Sequence, residues 1–259
     1  MFDLKGRVAI VTGGGVGIGA AISAKFAASG ATVAIADVNE QNGKANADAI
    51  IALGGKAKSY ELDVTNWEAC QSFVKQVESE LGPIDILVNN AGVSKLVAIT
   101  EMTGEEWDRL FHINLKGQFA MVRATAPGMI ARKRGRIINM ASVVSKQGFP
   151  KFSHYCASKF GVVGFTQSIA KELAPYDITV NAVCPGIVMT PLHHNIVQQM
   201  ADEAGVSFDE AKKNFIGNIP LGHPQEPEDI ANMFAYLASD LSRNMTGGTY
   251  HVDGGQMMD

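Results

Sequence analysis

The chain has 259 residues, 46% of them apolar and 19% charged, within the reach of one hydrophobic core and ordinary for a globular protein. Its net charge of −4, without a long basic run, excludes attraction to nucleic acid or to an anionic membrane surface. No apolar run is long enough for a membrane span or a signal peptide, and three cysteines without CxxC spacing imply no disulfide framework, so a cytoplasmic setting is expected.

Short β-branched runs alternate with longer stretches of helical period. Arg7–Thr12 reads as a strand and Gly17–Ser29 as a helix, followed by a strand at Thr32–Ala36 and a helix from Glu40 to Leu53. Lys58–Leu62 is a third strand, Trp67–Leu81 a helix and Ile84–Asn89 a fourth strand. A long helical region leads to a fifth strand at Gly135–Met140 and a helix at Tyr155–Leu173. Thr179–Val183, Asp229–Ala238 and Thr249–Val252 complete the pattern as strand, helix and strand. Strands apolar on both faces and alternating with helices predict one doubly wound α/β domain over residues 1–259: a Rossmann-type parallel sheet of about seven strands. Such sheets bind ligands at the carboxyl ends of their strands.

The turn Thr12-Gly13-Gly14-Gly15-Val16-Gly17-Ile18-Gly19 follows the first strand and opens the first helix. Glycines there allow positive φ and close backbone approach, and the helix N-terminus favours an anion. A structural turn would also use glycine, but the βαβ context favours a dinucleotide pyrophosphate at Gly13, Gly17, Ile18 and Gly19. Asp37 ends the second strand, where a carboxylate accepts ribose hydroxyls and repels a 2′-phosphate, so NAD is the expected cofactor. An ordinary turn residue is the alternative. Asp63 and Val64 follow the third strand and either contact the adenine or, through Asp63, cap a helix.

Tyr155 and Lys159 lie four residues apart and share a helix face. A free tyrosine titrates near pH ~10, and a nearby ammonium lowers that value. Thr12-Gly13-x-x-x-Gly17-Ile18-Gly19, Asn89-Asn90-Ala91-Gly92, Ser142 and Tyr155-x-x-x-Lys159, with Pro185-Gly186 and Asp253-Gly254-Gly255, resemble the short-chain dehydrogenase/reductase family over essentially the whole chain. The resemblance implies that Tyr155 exchanges the substrate hydroxyl proton and Lys159 holds the nicotinamide ribose. It implies that Ser142 orients the substrate oxygen and that Asn114 kinks its helix and holds a water in a proton relay. Asn90, Ala91 and Gly92, otherwise an ordinary turn, are implied to pack on the cofactor. Pro185, Gly186, Ile187 and Thr190 are implied to contact its nicotinamide end. The family also implies a homotetramer and a mobile lid at about residues 188–220.

Val144, Gln147 and His154 surround the predicted site in sequence and are candidates for substrate contact, with structural roles equally open for Gln147 and His154. His193 and His194 start the lid. Adjacent helical side chains point about 100° apart, so at most one faces substrate, and a solvated position is the default for either. His193 is carried as the candidate. No HExxH or Cys/His cluster predicts a metal. Sequence texture resembles the polyol and sugar dehydrogenase members, with diol (acetoin) reductases close behind. The expected activity is therefore NAD-dependent interconversion of a secondary alcohol and a ketone, or of a sugar hydroxyl and its lactone or ketone. A 3-oxoacyl reductase is the enzymatic alternative, which Asp37 disfavours. An NAD-sensing binding protein is the non-enzymatic one, and it predicts damage at Ser142, Tyr155 or Lys159 that is not seen.

Overall fold

The computed structural model describes residues 2–258. Seven strands form one parallel sheet in the order β3-β2-β1-β4-β5-β6-β7: β1 Val8–Thr12, β2 Thr32–Asp37, β3 Lys56–Glu61, β4 Ile84–Asn89, β5 Gly135–Met140, β6 Ile178–Pro185 and β7 Thr249–Val252. Chain direction through the sheet reverses between β1 and β4, the switch point at which such sheets open a crevice.

Alternation along β1 sorts its side chains to two cores. Ala9 and Val11 pack with Ile22 and Phe26 of α1 (Gly17–Ala28) and Phe234 of α9 (Pro227–Ala238). Val8 and Ile10 pack on the other face with Phe73 and Val77 of α3 (Trp67–Leu81) and Met121 and Met129 of α5 (Gly117–Arg132). With both faces covered, β1, β5 and β6 are buried at every position, including the polar Arg136, Asn139, Thr179 and Asn181. Among the described residues no helix is long and apolar enough to cross a membrane.

Three departures from the sequence reading bear on the site. The helical region between β4 and β5 divides into α4 (Gly104–Phe111), a π-helical turn at His112–Lys116 and α5. Strand β6 runs on through Pro185, whose missing N–H is tolerated at a strand end. Residues 188–220 contain two helices, α7 (Pro191–Ala204) and α8 (Phe208–Ile216), both of which pack on a small apolar cluster of Val197, Ala201 and Ala211.

Candidate active site

A cleft of about 720 Å³ opens at the carboxyl end of the sheet. Its floor is the glycine turn. Gly13 and Gly17 take positive φ values of 59° and 58°, and a Cβ on Gly13 would stand 3.0 Å from Ala91 Cα. A Cβ on Gly19 would collide with the Gly13 carbonyl. No side chain caps α1 at Val16, and Val16, Gly17, Ile18 and Gly19 all line the cleft. The first N–H groups of the helix are thus left for an anion, which fits a pyrophosphate. Thr12, part of the glycine motif but given no role there, and Asn90 tie this turn to the end of β4. Asn90 Nδ2 donates to the carbonyls of Thr12 and Gly13, both at 2.9 Å, and Thr12 Oγ1 accepts the N–H groups of Asn90 and Ala91 at 3.0 and 3.1 Å.

Asp37 is buried at the end of β2, where its carboxylate accepts the N–H groups of Gly15 and Asn39, each at 2.9 Å. Each oxygen keeps a further lone pair, so the group fits a ribose diol. Asp63 and Val64 line the same end. Asp63 accepts the N–H of Thr65 at 2.9 Å and its hydroxyl at 2.8 Å, so it does not cap α3, whose cap is Asn66.

At the other end, α6 (Ser153–Leu173) delivers Tyr155 and Lys159 to the cleft wall beside Ser142. Ser142 is fixed by a reciprocal capping pair: Ser142 Oγ accepts the Val144 N–H at 3.4 Å, and Ser145 Oγ accepts the Ser142 N–H at 3.2 Å. Lys159 is buried, donates to the Met140 carbonyl at 2.8 Å and stands 5.7 Å from the centre of the Tyr155 ring. Burial pushes the Tyr155 hydroxyl up to about 12, partly offset by its hydrogen bond with Ser142, and lowers the Lys159 ammonium to about 8. Fully buried in the π-helical turn, Asn114 clamps Val93 by accepting its N–H at 2.8 Å and donating to its carbonyl at 2.9 Å. Gly92 is packed so closely that a Cβ there would lie 3.2 Å from Asn114 Oδ1 and 3.7 Å from Lys159 Nζ. Pro185, Gly186 and Thr190 complete the wall, with the Thr190 methyl over Gly17.

Five residues singled out from sequence do not line the cleft, Asn114 behind Val93 among them. Ile187 points into the core, and its carbonyl accepts the Gln225 N–H at 2.9 Å. Val144 is buried with Val143 and Cys156, and Gln147 is exposed. His154 is fully buried on the far side of α6, with its Nε2 4.0 Å from Glu106. Val144, Gln147 and His154 were singled out by their nearness in sequence to Ser142 or Tyr155, which does not fix the direction of a side chain, and Ile187 by the resemblance alone. His193 does line the cleft and His194 is exposed, so the solvated default holds for only one of the pair. Arg109, His112, Ile113 and Leu192 also line it without having been singled out, because no local pattern marks them.

A family model described as enoyl-(acyl carrier protein) reductase matches residues 14–257. The chain is 38% identical to the 3-oxoacyl-(acyl-carrier-protein) reductase of Thermotoga maritima, over 97% of this chain and 98% of that protein. It is 40% identical to the galactitol 2-dehydrogenase of Agrobacterium fabrum, over 98% and 99%. A crystal structure of a putative NAD(P)-dependent gluconate 5-dehydrogenase from Beutenbergia cavernae, with NADP bound at low occupancy, superposes with a TM-score of 0.91 at 33% identity, covering 98% of each chain. With its seven-stranded sheet and a nicotinamide-dinucleotide cleft at the switch point, the chain belongs to the short-chain dehydrogenase/reductase family, oxidoreductases acting on CH–OH groups.

Proposed function

We propose that this protein is an NAD-dependent dehydrogenase interconverting a secondary alcohol and a ketone on a polyol or sugar, in the cytoplasm and as a homotetramer. One arrangement carries the proposal: the Tyr155–Lys159–Ser142 group opens onto the same cleft as the glycine turn and Asp37. The nicotinamide, when bound, supplies the hydride chemistry. Ser142, hydrogen-bonded with Tyr155, orients and polarises the substrate oxygen, and Tyr155 exchanges a proton with it. Burial alone makes a poor base of Tyr155. A Lys159 ammonium with a pKa near 8 is largely charged at neutral pH and stabilises the phenolate. Asn114, at the only π-helical turn among the described residues, braces this wall through Val93 and serves the proton relay between Lys159 and solvent. The relay, like the lid role of residues 188–220, is taken from the family pattern.

Support for NAD comes from Asp37, a buried carboxylate that would repel a 2′-phosphate. The Lys and Arg side chains lining the cleft are Arg109, paired with Glu106 at 3.3 Å, and Lys159, committed to Met140. Among the described residues lining the cleft each cation already has a partner, which suits a neutral polyol. Stacked and edge-on aromatics on α3, α5 and α6 (Trp67–Phe119 at 5.6 Å, Phe119–Phe165 at 6.3 Å) leave Phe119 43% exposed and Phe160 46% exposed, apolar surface suited to subunit contact. An NADP-linked 3-oxoacyl reduction is the second reading, favoured by the Thermotoga relative.

A panel of polyols, sugars, diols and 3-hydroxyacyl thioesters, assayed with NAD and NADP in parallel, separates the two. NAD-linked turnover of a polyol or sugar is expected, and Tyr155→Phe should lower it by about 10²–10⁴-fold. Turnover confined to acyl thioesters with NADP establishes the second reading, and tight NAD binding without any turnover establishes a sensor.

A further inference from the structure

The glycine turn and α2 (Glu40–Ala52) are joined by a clamp on a single peptide group. Asn46, half-buried on α2, donates through Nδ2 to the Gly14 carbonyl at 2.8 Å. Asp37 Oδ2 accepts the Gly15 N–H at 2.9 Å. That carbonyl and that N–H belong to one planar unit, so the Gly14–Gly15 peptide is gripped at both of its polar atoms, by the end of β2 and by α2. The other oxygen of Asp37 accepts the N–H of Asn39, the residue that caps α2, which closes a ring of hydrogen bonds through strand, helix and turn. Packing is equally close: a Cβ on Gly15 would stand 2.8 Å from both Asp37 Oδ2 and the Gly43 nitrogen. Neither Gly14 nor Gly15 lines the cleft, so the clamp can reach a ligand only through Asp37 and the neighbouring residues of the turn, which do.

A peptide flanked by two glycines has little steric barrier of its own to turning over, because neither residue carries a Cβ. Rotation would take the Gly15 N–H away from Asp37 and bring a carbonyl oxygen toward the carboxylate, displacing the group that faces the cofactor ribose. Asp37 holds one end of this plane, and Asn46 supplies the hold at the other. We propose that Asn46 is a positioning residue of the cofactor site, locking the Gly14–Gly15 peptide in the orientation that keeps Asp37 and the glycine turn in register for the adenosine–pyrophosphate half of the dinucleotide; the inference rests on the dinucleotide reading of the cleft and on Asp37 as its ribose contact. The role requires a donor at residue 46. A carboxylate of the same shape offers the Gly14 carbonyl no hydrogen.

The test measures NADH and NADPH affinity by fluorescence titration and ADP-ribose affinity by calorimetry, in wild type, Asn46→Ala, Asn46→Asp and Asn46→Gln, with Tm recorded for each. ADP-ribose carries the adenosine and pyrophosphate without the nicotinamide. NADH and ADP-ribose should weaken together, by severalfold to about tenfold, in Asn46→Ala and Asn46→Asp. NADPH should weaken less, because a displaced Asp37 also repels its 2′-phosphate less, so the preference for NADH shrinks. Asn46→Gln, which keeps an amide donor, should recover part of both the affinity and the preference. A merely structural amide would lower Tm and leave the preference where it was. Unchanged affinities in the alanine and aspartate variants, a loss for NADH that is absent for ADP-ribose, or an equal loss for NADH and NADPH overturns the assignment. Wild type that binds none of the three overturns the dinucleotide reading, and wild type that prefers NADPH overturns the ribose role of Asp37; either takes this inference with it.

Discussion

Asp37 joins two functions in one carboxylate. Its hydrogen bond from the Gly15 N–H holds the glycine turn against the end of β2, and its negative charge faces the end of the cleft lined by Val38 and Asp63. Alanine would remove both, so the informative change is Asp37→Asn, which keeps an acceptor for a backbone N–H and deletes the charge. The NAD/NADP ratio of kcat/KM should fall by about tenfold or more, roughly the 1.4 kcal/mol that separates a repelled phosphate from a tolerated one. Retention of the wild-type ratio would mean that Asp37 is only a turn brace. This residue was legible in the sequence because a strand end after a glycine turn is a fixed place in the fold. Thr12 was not, since its role depends on Asn90 and Ala91, brought beside it only when β1 pairs with β4.

Elements outside the sheet were read less completely, and α7 shows why. Its seat is set by residues distant in sequence. Gln199 donates to the Leu96 carbonyl at 2.7 Å and accepts the Leu96 N–H at 3.3 Å, in the manner of a strand partner. Lys151 bonds Glu203 at 2.6 Å, and its own carbonyl accepts the Val97 N–H at 2.9 Å. Helix α7 is thereby latched to the loops after β4 and β5. Periodicity carries no trace of such pairings, whereas the strands were legible as short β-branched runs and α3 through its periodic burial at Cys70, Phe73, Val74 and Val77. The two latches differ in strength. The Lys151–Glu203 pair is over two-fifths exposed on both sides and contributes at most about 1 kcal/mol. The carboxamide pair is partly buried and bidentate. Gln199→Ala should therefore raise the substrate KM severalfold and speed amide hydrogen exchange across residues 191–204, while Glu203→Gln changes both little. Equal effects, or none from Gln199→Ala, would show that apolar packing on Val197 and Ala201 alone seats the helix.

Stability of the whole molecule should depend on pH through buried histidine before any carboxylate takes part. His154 lies fully buried between α4 and α6 with both ring nitrogens unpartnered, and burial lowers its pKa despite Glu106 4.0 Å away, with Arg109 and Lys95 opposing protonation. His193 is lowered to about 4 by the same cause. In the unfolded chain both titrate near pH ~6.5, so below that value the unfolded state binds protons that the folded state refuses. Folding free energy is then lost as pH falls from about 6.5 toward the folded-state values, by up to about 1.4 kcal/mol per pH unit for each histidine. The acids held low by partners, Glu80 at about 2 through Lys58 and Tyr60, and Glu203 through Lys151, begin to contribute only below their ordinary range near pH ~4.5. The interval between about pH 6.5 and 4.5 therefore reports the histidines. His154→Leu replaces an unsatisfied buried ring with a side chain of similar volume, which should raise Tm at pH 7 and flatten its decline toward pH 5. A wild-type Tm that stays level across this interval, or a leucine variant that declines as steeply while His193 is also replaced, would mean that the α4–α6 contact opens to hydrate the ring.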